Sequence, residues 1–326
     1  MKLIEVYPLN GFGNRIQAIS SGINSALELN LSIKINWIVN EQFPLSSGEI
    51  FSKKTLSKFN ISDVYQNPYQ NFKIGLTDKK DGRLIVKGGG KGEQFFINSY
   101  KKQKSILSYQ EITLVSGGFF NLNSDKVDLQ RIRSNYTKIE FSNSLLNKTK
   151  KLKLQIPAKY NVLHLRFKDR SHESAKMSDI KKYFEKNPIS LPLCVIGDDR
   201  DINVEISSML KMINPETFML NNSIPNRYSS QGLVDALVEF LVISGAEMVH
   251  ASSPSSFSEE SIYFNPKPPL YSLIKGPQYK SKIRYCWHKI SVKLKFMFYL
   301  PFILTNKIKI LGRKVFKINF ITLRKH

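Results

Sequence analysis

The densest chemistry in this chain lies between His164 and Glu173, where ten consecutive residues include His164, Arg166, Lys168, Asp169, Arg170, His172 and Glu173. The run begins inside a mostly apolar, β-prone segment, Tyr160 to Leu165, and then turns polar at once. A core strand has no use for that change. A strand whose carboxyl end opens into a cleft does, because ligands of open α/β sheets sit just beyond those ends. Arg166 can present a planar guanidinium fork to a diphosphate, a task Arg performs better than Lys. Glu173 can take a proton from an attacking hydroxyl. The competing reading is a solvated strand-to-helix loop rich in charge.

Further polar clusters fall in comparable places. Ser252, Ser253, Ser255 and Ser256 precede a helical pattern, where hydroxyls and free N–H groups can hold phosphate oxygens. Helix capping is the ordinary use of any one such serine. Asp198 and Asp199 follow an apolar run and suit either ribose hydroxyls or a helix N-cap. Asp235 interrupts the apolar stretch Leu233 to Leu241. A buried Asp there needs a partner, and a guanine or a ribose is one. Near the start, Asn10-Gly11-Phe12-Gly13-Asn14-Arg15 joins a strand-like segment to a helical one. Gly11 and Gly13 permit close backbone approach, and the helix start offers N–H groups to an anion. The third glycine of the dinucleotide fingerprint is missing, so NAD binding does not follow. A tight turn needing positive φ is the simpler use of these glycines.

Positioning these groups requires a regular frame. Residues 2–7, 16–30 and 32–39 read as strand, helix and strand, with the glycine-rich loop between the first two. Residues 40–150 have poor periodicity, with a strand at 111–116 and a helix near 141–152; Gly88 to Gly92 lacks the P-loop spacing and reads as a hairpin or mobile loop. From Tyr160 strands and helices alternate: strands at 160–167, 192–197, 217–220 and 247–251, helices near 178–185, 202–213, 231–244 and 255–263. That alternation predicts a parallel, doubly wound α/β sheet. The polar clusters, with Asn221-Asn222, fall where strands end, and one shared cleft explains the coincidence.

The length, 326 residues, suits two domains. Cys194 and Cys286 are the two cysteines; they offer neither a disulfide framework nor zinc spacing, and a reducing compartment fits. The opening residues lack a basic leader with an apolar core, so export is not expected. The net charge of +23 is unevenly placed. From Ser261 to His326 there are 15 Lys and Arg and no Asp or Glu, leaving 34 bases against 26 acids in the first 260 residues.

The ordered set of motifs resembles the α1,6-fucosyltransferases, the group of the rhizobial nodulation and animal core N-glycan enzymes. His164-Leu-Arg166-Phe-Lys-Asp169-Arg170 with Glu173 is similar to the family's H-V-R-R-x-D-K followed by Glu. Ser252 to Ser258 resembles its later serine motif, and Asn226-Arg227-Tyr228 and Asp235 fall between the two in family-like order. Gly11-Phe-Gly13-Asn14-Arg15 with Ile33-Lys34-Ile35-Asn36-Trp37 resembles its N-terminal unit. The resemblance implies a GT-B-like α/β fold of two facing Rossmann-type domains, at 1–153 on the acceptor side and 154–275 on the nucleotide-sugar side. A basic, amphipathic tail follows at 276–326. It implies an inverting transferase that needs no metal or other cofactor and uses GDP-fucose or a related GDP-sugar as donor. Arg166 would hold the β-phosphate, His164 and Asp235 the nucleoside, and Glu173 would be the base with Arg170 near it. Asp198, the four serines, Gly11, Gly13, Asn14 and Arg15 complete the donor side. Phe167 stands where the family has a second Arg, and Glu173 falls one residue early, so His172, whose ordinary pKa suits neutral pH, is the reserve base.

Two rival readings exist. Asp199-Arg200-Asp201 can be the metal-binding D-x-D of a GT-A glycosyltransferase, which leaves Arg166 and the serines unexplained. The basic tail can bind nucleic acid, with Tyr285, Trp287, Phe296 and Phe298 as stacking platforms. Its run from Phe296 to Leu304 suits a bilayer interface better. Nine residues with a proline cannot span a core of about 30 Å. The expected partners are therefore an anionic membrane surface, on the cytoplasmic face of a bacterial inner membrane, and an oligosaccharide acceptor. A lipid-linked acceptor of surface polysaccharide synthesis suits that placement.

Overall fold

A computed structural model describes residues 2–78, 82–88, 94, 97–98, 108–168, 174–220 and 229–274. Residues 1–276 form one compact unit, which contains two sheets. The tail expected to meet a membrane lies outside the described residues.

The first sheet begins with β1 (Leu3–Pro8), α1 (Phe12–Leu29) and β2 (Ser32–Ile38). Ile4 and Val6 of β1 join the core beneath α1, while Tyr7 joins the cluster on the opposite face, the period-2 alternation of a strand. Helix α1 answers with Ile16, Ile19, Ile23 and Ala26 at helical spacing, all buried. It stops at Asn30, whose φ of 52° is left-handed and whose N–H closes onto Ala26 and Leu27. The short helices α2 (Ser47–Ile50) and α3 (Lys53–Lys58) lead to β3 (Ile61–Val64), β4 (Gly75–Asp78), β5 (Arg83–Lys87) and β6 (Glu111–Ser116). The order is β3-β2-β1-β6-β5-β4, parallel except for β4, which pairs antiparallel to β5.

The chain crosses over through α4 (Leu129–Arg133), a 3₁₀ turn (Ser134–Lys138) and α5 (Asn143–Lys153). The second sheet then forms from β7 (Asn161–Leu165), α6 (Met177–Lys186), β8 (Leu193–Gly197), α7 (Arg200–Lys211), β9 (Thr217–Met219), α8 (Ser230–Ser244), β10 (Met248–Ala251), α9 (Ser256–Ser261), a 3₁₀ turn (Ile262–Phe264) and β11 (Leu270–Leu273). Its order is β11-β10-β7-β8-β9, and each of its pairings is parallel. The strand order reverses between β7 and β10, and such a reversal is where ligands of open α/β sheets bind.

The expected α/β architecture is present. Strands β3, β4, β5 and β11 go beyond the sequence reading. The first and last are four-residue edge strands and β4 is another, too short for a periodic signal. One apolar cluster runs through both lobes. Phe12 of α1 meets Phe240 of α8 edge-on at 5.0 Å, and Phe141 and Phe264 pack beside them.

Candidate functional site

The polar groups gather at the reversal point of the second sheet. His164 is paired in register with Ala251, so the ends of β7 and β10 lie side by side. Ser252 holds the junction closed. Its N–H donates to the His164 carbonyl (3.0 Å), its hydroxyl accepts from the Arg166 N–H (3.2 Å), and its carbonyl accepts from Ala175 (2.7 Å). The Ser174 hydroxyl donates to the Arg166 carbonyl. The residues flanking 169–173 are thus brought together at the carboxyl end of β7. Arg170, His172 and Glu173, the expected catalytic group, lie outside the described residues.

The Arg166 guanidinium donates to the Ser255 hydroxyl at 3.2 Å. Ser255 stands at the N-cap of α9 but makes no side-chain cap, so its hydroxyl serves Arg166 instead of the helix. Ser253 is 1% exposed, and its hydroxyl has no hydrogen-bond partner among the described residues; nor has Nδ1 of His164. Buried polar atoms are nearly always paired, so two orphans at one sheet reversal fit a polar ligand that completes them. Burial, and then the charge of Arg166, depress the His164 imidazole to about 3. It is neutral at physiological pH and stacks on Phe257 at 5.8 Å. Ser256 opens α9, and its backbone carries a further contact described below.

The two aspartates after β8 have structural partners. Asp198 accepts N–H groups from Phe167 (2.8 Å) and Lys168 (3.3 Å), and so shapes the start of the loop after β7. Asp199 caps α7 by accepting from Ile202 (3.3 Å). That capping occupies one member of the rival D-x-D pair, and among the described residues no group of three or more His, Cys, Asp or Glu is placed to hold a metal. Asp235 accepts from Gln231 at 2.7 Å, one helical turn earlier. Burial, then Asp235 and Asp198, push the Glu239 carboxyl well above its ordinary range, an acid that sequence reading passed over.

The glycine-rich loop of the first lobe reaches the same place. It leaves the carboxyl end of β1 as the serine loop leaves that of β10. A Cβ on Gly13 would lie 2.4 Å from the Ser256 carbonyl oxygen, so the close approach that Gly13 permits is to the protein's own backbone. Gly11 has an ordinary φ of −70° and open space around it; the left-handed residue is Asn10, at φ 68°. Asn14 follows in the first turn, half-buried. Arg15 is 2% exposed and donates to the carbonyls of Asn10 (2.9 Å) and Ile38 (2.7 Å). Its guanidinium lies over the edge-to-face pair of Trp37 and Phe43, 4.7 and 4.3 Å from their ring centroids. Burial lowers it to about 9. Arg15 anchors the loop from beneath, through backbone and aromatic contacts.

This two-lobed α/β architecture is that of fucosyltransferases of known structure. A mutant FUT1 of Arabidopsis thaliana in complex with GDP matches at a TM-score of 0.58, with 12% identity, over 85% of this chain and 70% of that one. The NodZ alpha-1,6-fucosyltransferase soaked with GDP-fucose matches at 0.53, with 11% identity, over 81% and 93%. POFUT1 in complex with GDP-fucose matches at 0.52, with 11% identity, over 84% and 98%. No family model matches the sequence, and no curated protein does.

Proposed function

We propose that this chain is a glycosyltransferase that moves fucose from GDP-fucose to a hydroxyl of a glycan acceptor, with inversion and without a metal. The observation that carries the reading is the reversal of the second sheet, where the Arg166 guanidinium, the Ser255 hydroxyl and the His164 and Ser253 atoms that lack a partner among the described residues converge. The neighbouring folds were solved with GDP or GDP-fucose bound. In the proposed reaction the acceptor oxygen attacks the anomeric carbon as its bond to the diphosphate breaks. Arg166 takes up the charge developing on the departing β-phosphate, an interaction strongest in the transition state. Glu173 receives the acceptor proton, with Arg170 and His172 beside it in sequence. Neutral His164 and Asp235 hold the nucleoside.

The first lobe takes the acceptor side in this reading. The basic tail places the enzyme on an anionic membrane surface, where a lipid-linked oligosaccharide is a natural acceptor. The deciding experiment is a donor screen over GDP-fucose, GDP-mannose, UDP-sugars and dTDP-sugars, with and without EDTA. Turnover of GDP-fucose that survives EDTA supports the reading. Turnover of a UDP- or dTDP-sugar that EDTA abolishes returns the site to the Asp199/Asp201 alternative.

A further inference from the structure

Glu260 is a fully buried acid outside the donor groups named above. It sits on α9 five residues after Ser255, at 0% exposure. Its carboxylate accepts from Arg133 Nε (3.0 Å) and Nη2 (2.8 Å), from the Tyr136 hydroxyl (2.6 Å) and from Gln17 Nε2 (2.8 Å). All three partners precede the second sheet: Gln17 lies on α1 of the first lobe, and Arg133 and Tyr136 lie on α4 and the 3₁₀ turn of the crossover, which pack against α1. Arg133 also reaches Glu259 at 2.8 Å, and its guanidinium lies 4.1 Å from the Tyr263 ring centroid. Burial alone would lower that guanidinium, but the hydrogen bonds and charge of Glu260 outweigh it and hold it charged. Tyr136 stacks on Phe264 at 4.8 Å, and burial with the Glu260 charge keeps its hydroxyl protonated.

We propose that Arg133, Tyr136 and Gln17 are positioning residues for the serine loop of the second lobe, acting through the buried carboxylate of Glu260. The geometry gives the reason. Glu260 and Ser255 are separated by little more than one helical turn, about 7 Å along the axis. A rotation or slide of α9 at Glu260 therefore reaches Ser255 and its contact with Arg166 nearly undiminished. The Gly13–Ser256 contact and the Phe257 ring against Phe240 at 5.2 Å fix the near end of α9; the carboxylate fixes the far end. A buried acid with four donors tolerates little displacement, because each bond lost leaves a desolvated carboxylate oxygen with one donor fewer and no water to replace it. The donor site is thus set by side chains that do not touch the donor. The inference rests on the donor reading of Arg166 and Ser255.

Tyr136→Phe and Gln17→Ala each remove one donor to Glu260 and leave the Arg133 pair. Each should raise the Kd for GDP and the KM for GDP-fucose about 3–10-fold, while kcat stays within about twofold. In an Arg166→Ala background the same substitutions should change the GDP Kd by less than about twofold, since the coupling runs through Arg166 and Ser255. A ligand-free readout separates this inference from the donor reading. Amide exchange across Ser252 to Phe257 should accelerate at least about tenfold in Tyr136→Phe, with β8 unchanged. Unchanged exchange in that loop overturns the proposal whatever GDP does, as do full effects retained in the Arg166→Ala background. Accelerated exchange with no GDP binding by the wild-type chain upholds the positioning and overturns the donor reading alone.

Discussion

Gly13 and Ser256 touch backbone to backbone across the two lobes: a Cβ on the glycine would sit 2.4 Å from the serine carbonyl oxygen. No rotamer change relieves such a contact, because the atom in the way belongs to the main chain. Gly13→Ala should therefore cost about 1–3 kcal/mol, as overpacking does. Gly11→Ala, with nothing within 4 Å, should cost under about 1 kcal/mol. Urea unfolding of the two variants checks this, and equal losses would count against the lobe contact.

Arg166→Ala removes a charge-assisted contact to a phosphate. Binding of GDP should weaken by about 1.5–3 kcal/mol, roughly 10–150-fold. Titration calorimetry on the full chain measures it. An unchanged affinity would remove Arg166 from the donor site.

Glu173→Gln keeps the shape of the proposed base and loses its proton affinity. Turnover should fall roughly 10²–10⁴-fold with GDP binding intact. If His172→Ala instead produces that loss while Glu173→Gln is mild, the two residues exchange roles.

Acid should destabilise the fold through two buried histidines. Burial lowers His250 to about 4, and burial with the Arg166 charge lowers His164 to about 3, against an ordinary 6.5. Their contributions are complete above pH 6.5. As pH falls, the unfolded chain takes up protons that the native state refuses, so stability drops from 6.5 towards 4 and 3. The slope is at most about 1.4 kcal/mol per pH unit for each group. Glu239, held protonated by burial and by Asp235 and Asp198, acts oppositely: its contribution is present below the ordinary carboxylate range and fades as pH rises. Comparing His250→Gln with wild type cancels that background. The variant should lose less stability between pH 7 and 5, and parallel curves would contradict the assignment.

The tail should bind anionic vesicles. Each Lys or Arg near such a surface contributes about 1 kcal/mol, screened by salt. Full-length protein should co-sediment with anionic liposomes at low salt and release at high salt, and a chain lacking residues 279–326 should not. Identical sedimentation of both would make the tail a structural element.

The sequence alone determined most of the second lobe, β11 excepted. From Tyr160 on, alternating apolar runs and helical patterns are local signals, and they marked the strands from β7 to β10 with their helices to within a few residues. It also placed Arg166 and the serines at strand ends, because the switch from apolar to polar residues is itself local. Only the tertiary structure decided that β7 and β10 are neighbours, since strand order depends on which apolar faces pack. That adjacency joins Arg166 to Ser255 and leaves His164 Nδ1 and Ser253 Oγ without a partner among the described residues. The same limit hid the purposes of Gly13 and Arg15, which read as anion-binding candidates until the Ser256 backbone and the Trp37–Phe43 rings were seen beside them. Glu260 gave no signal at all. A glutamate among serines looks solvated, and its burial depends on Arg133, Tyr136 and Gln17, which lie more than a hundred residues away in the chain.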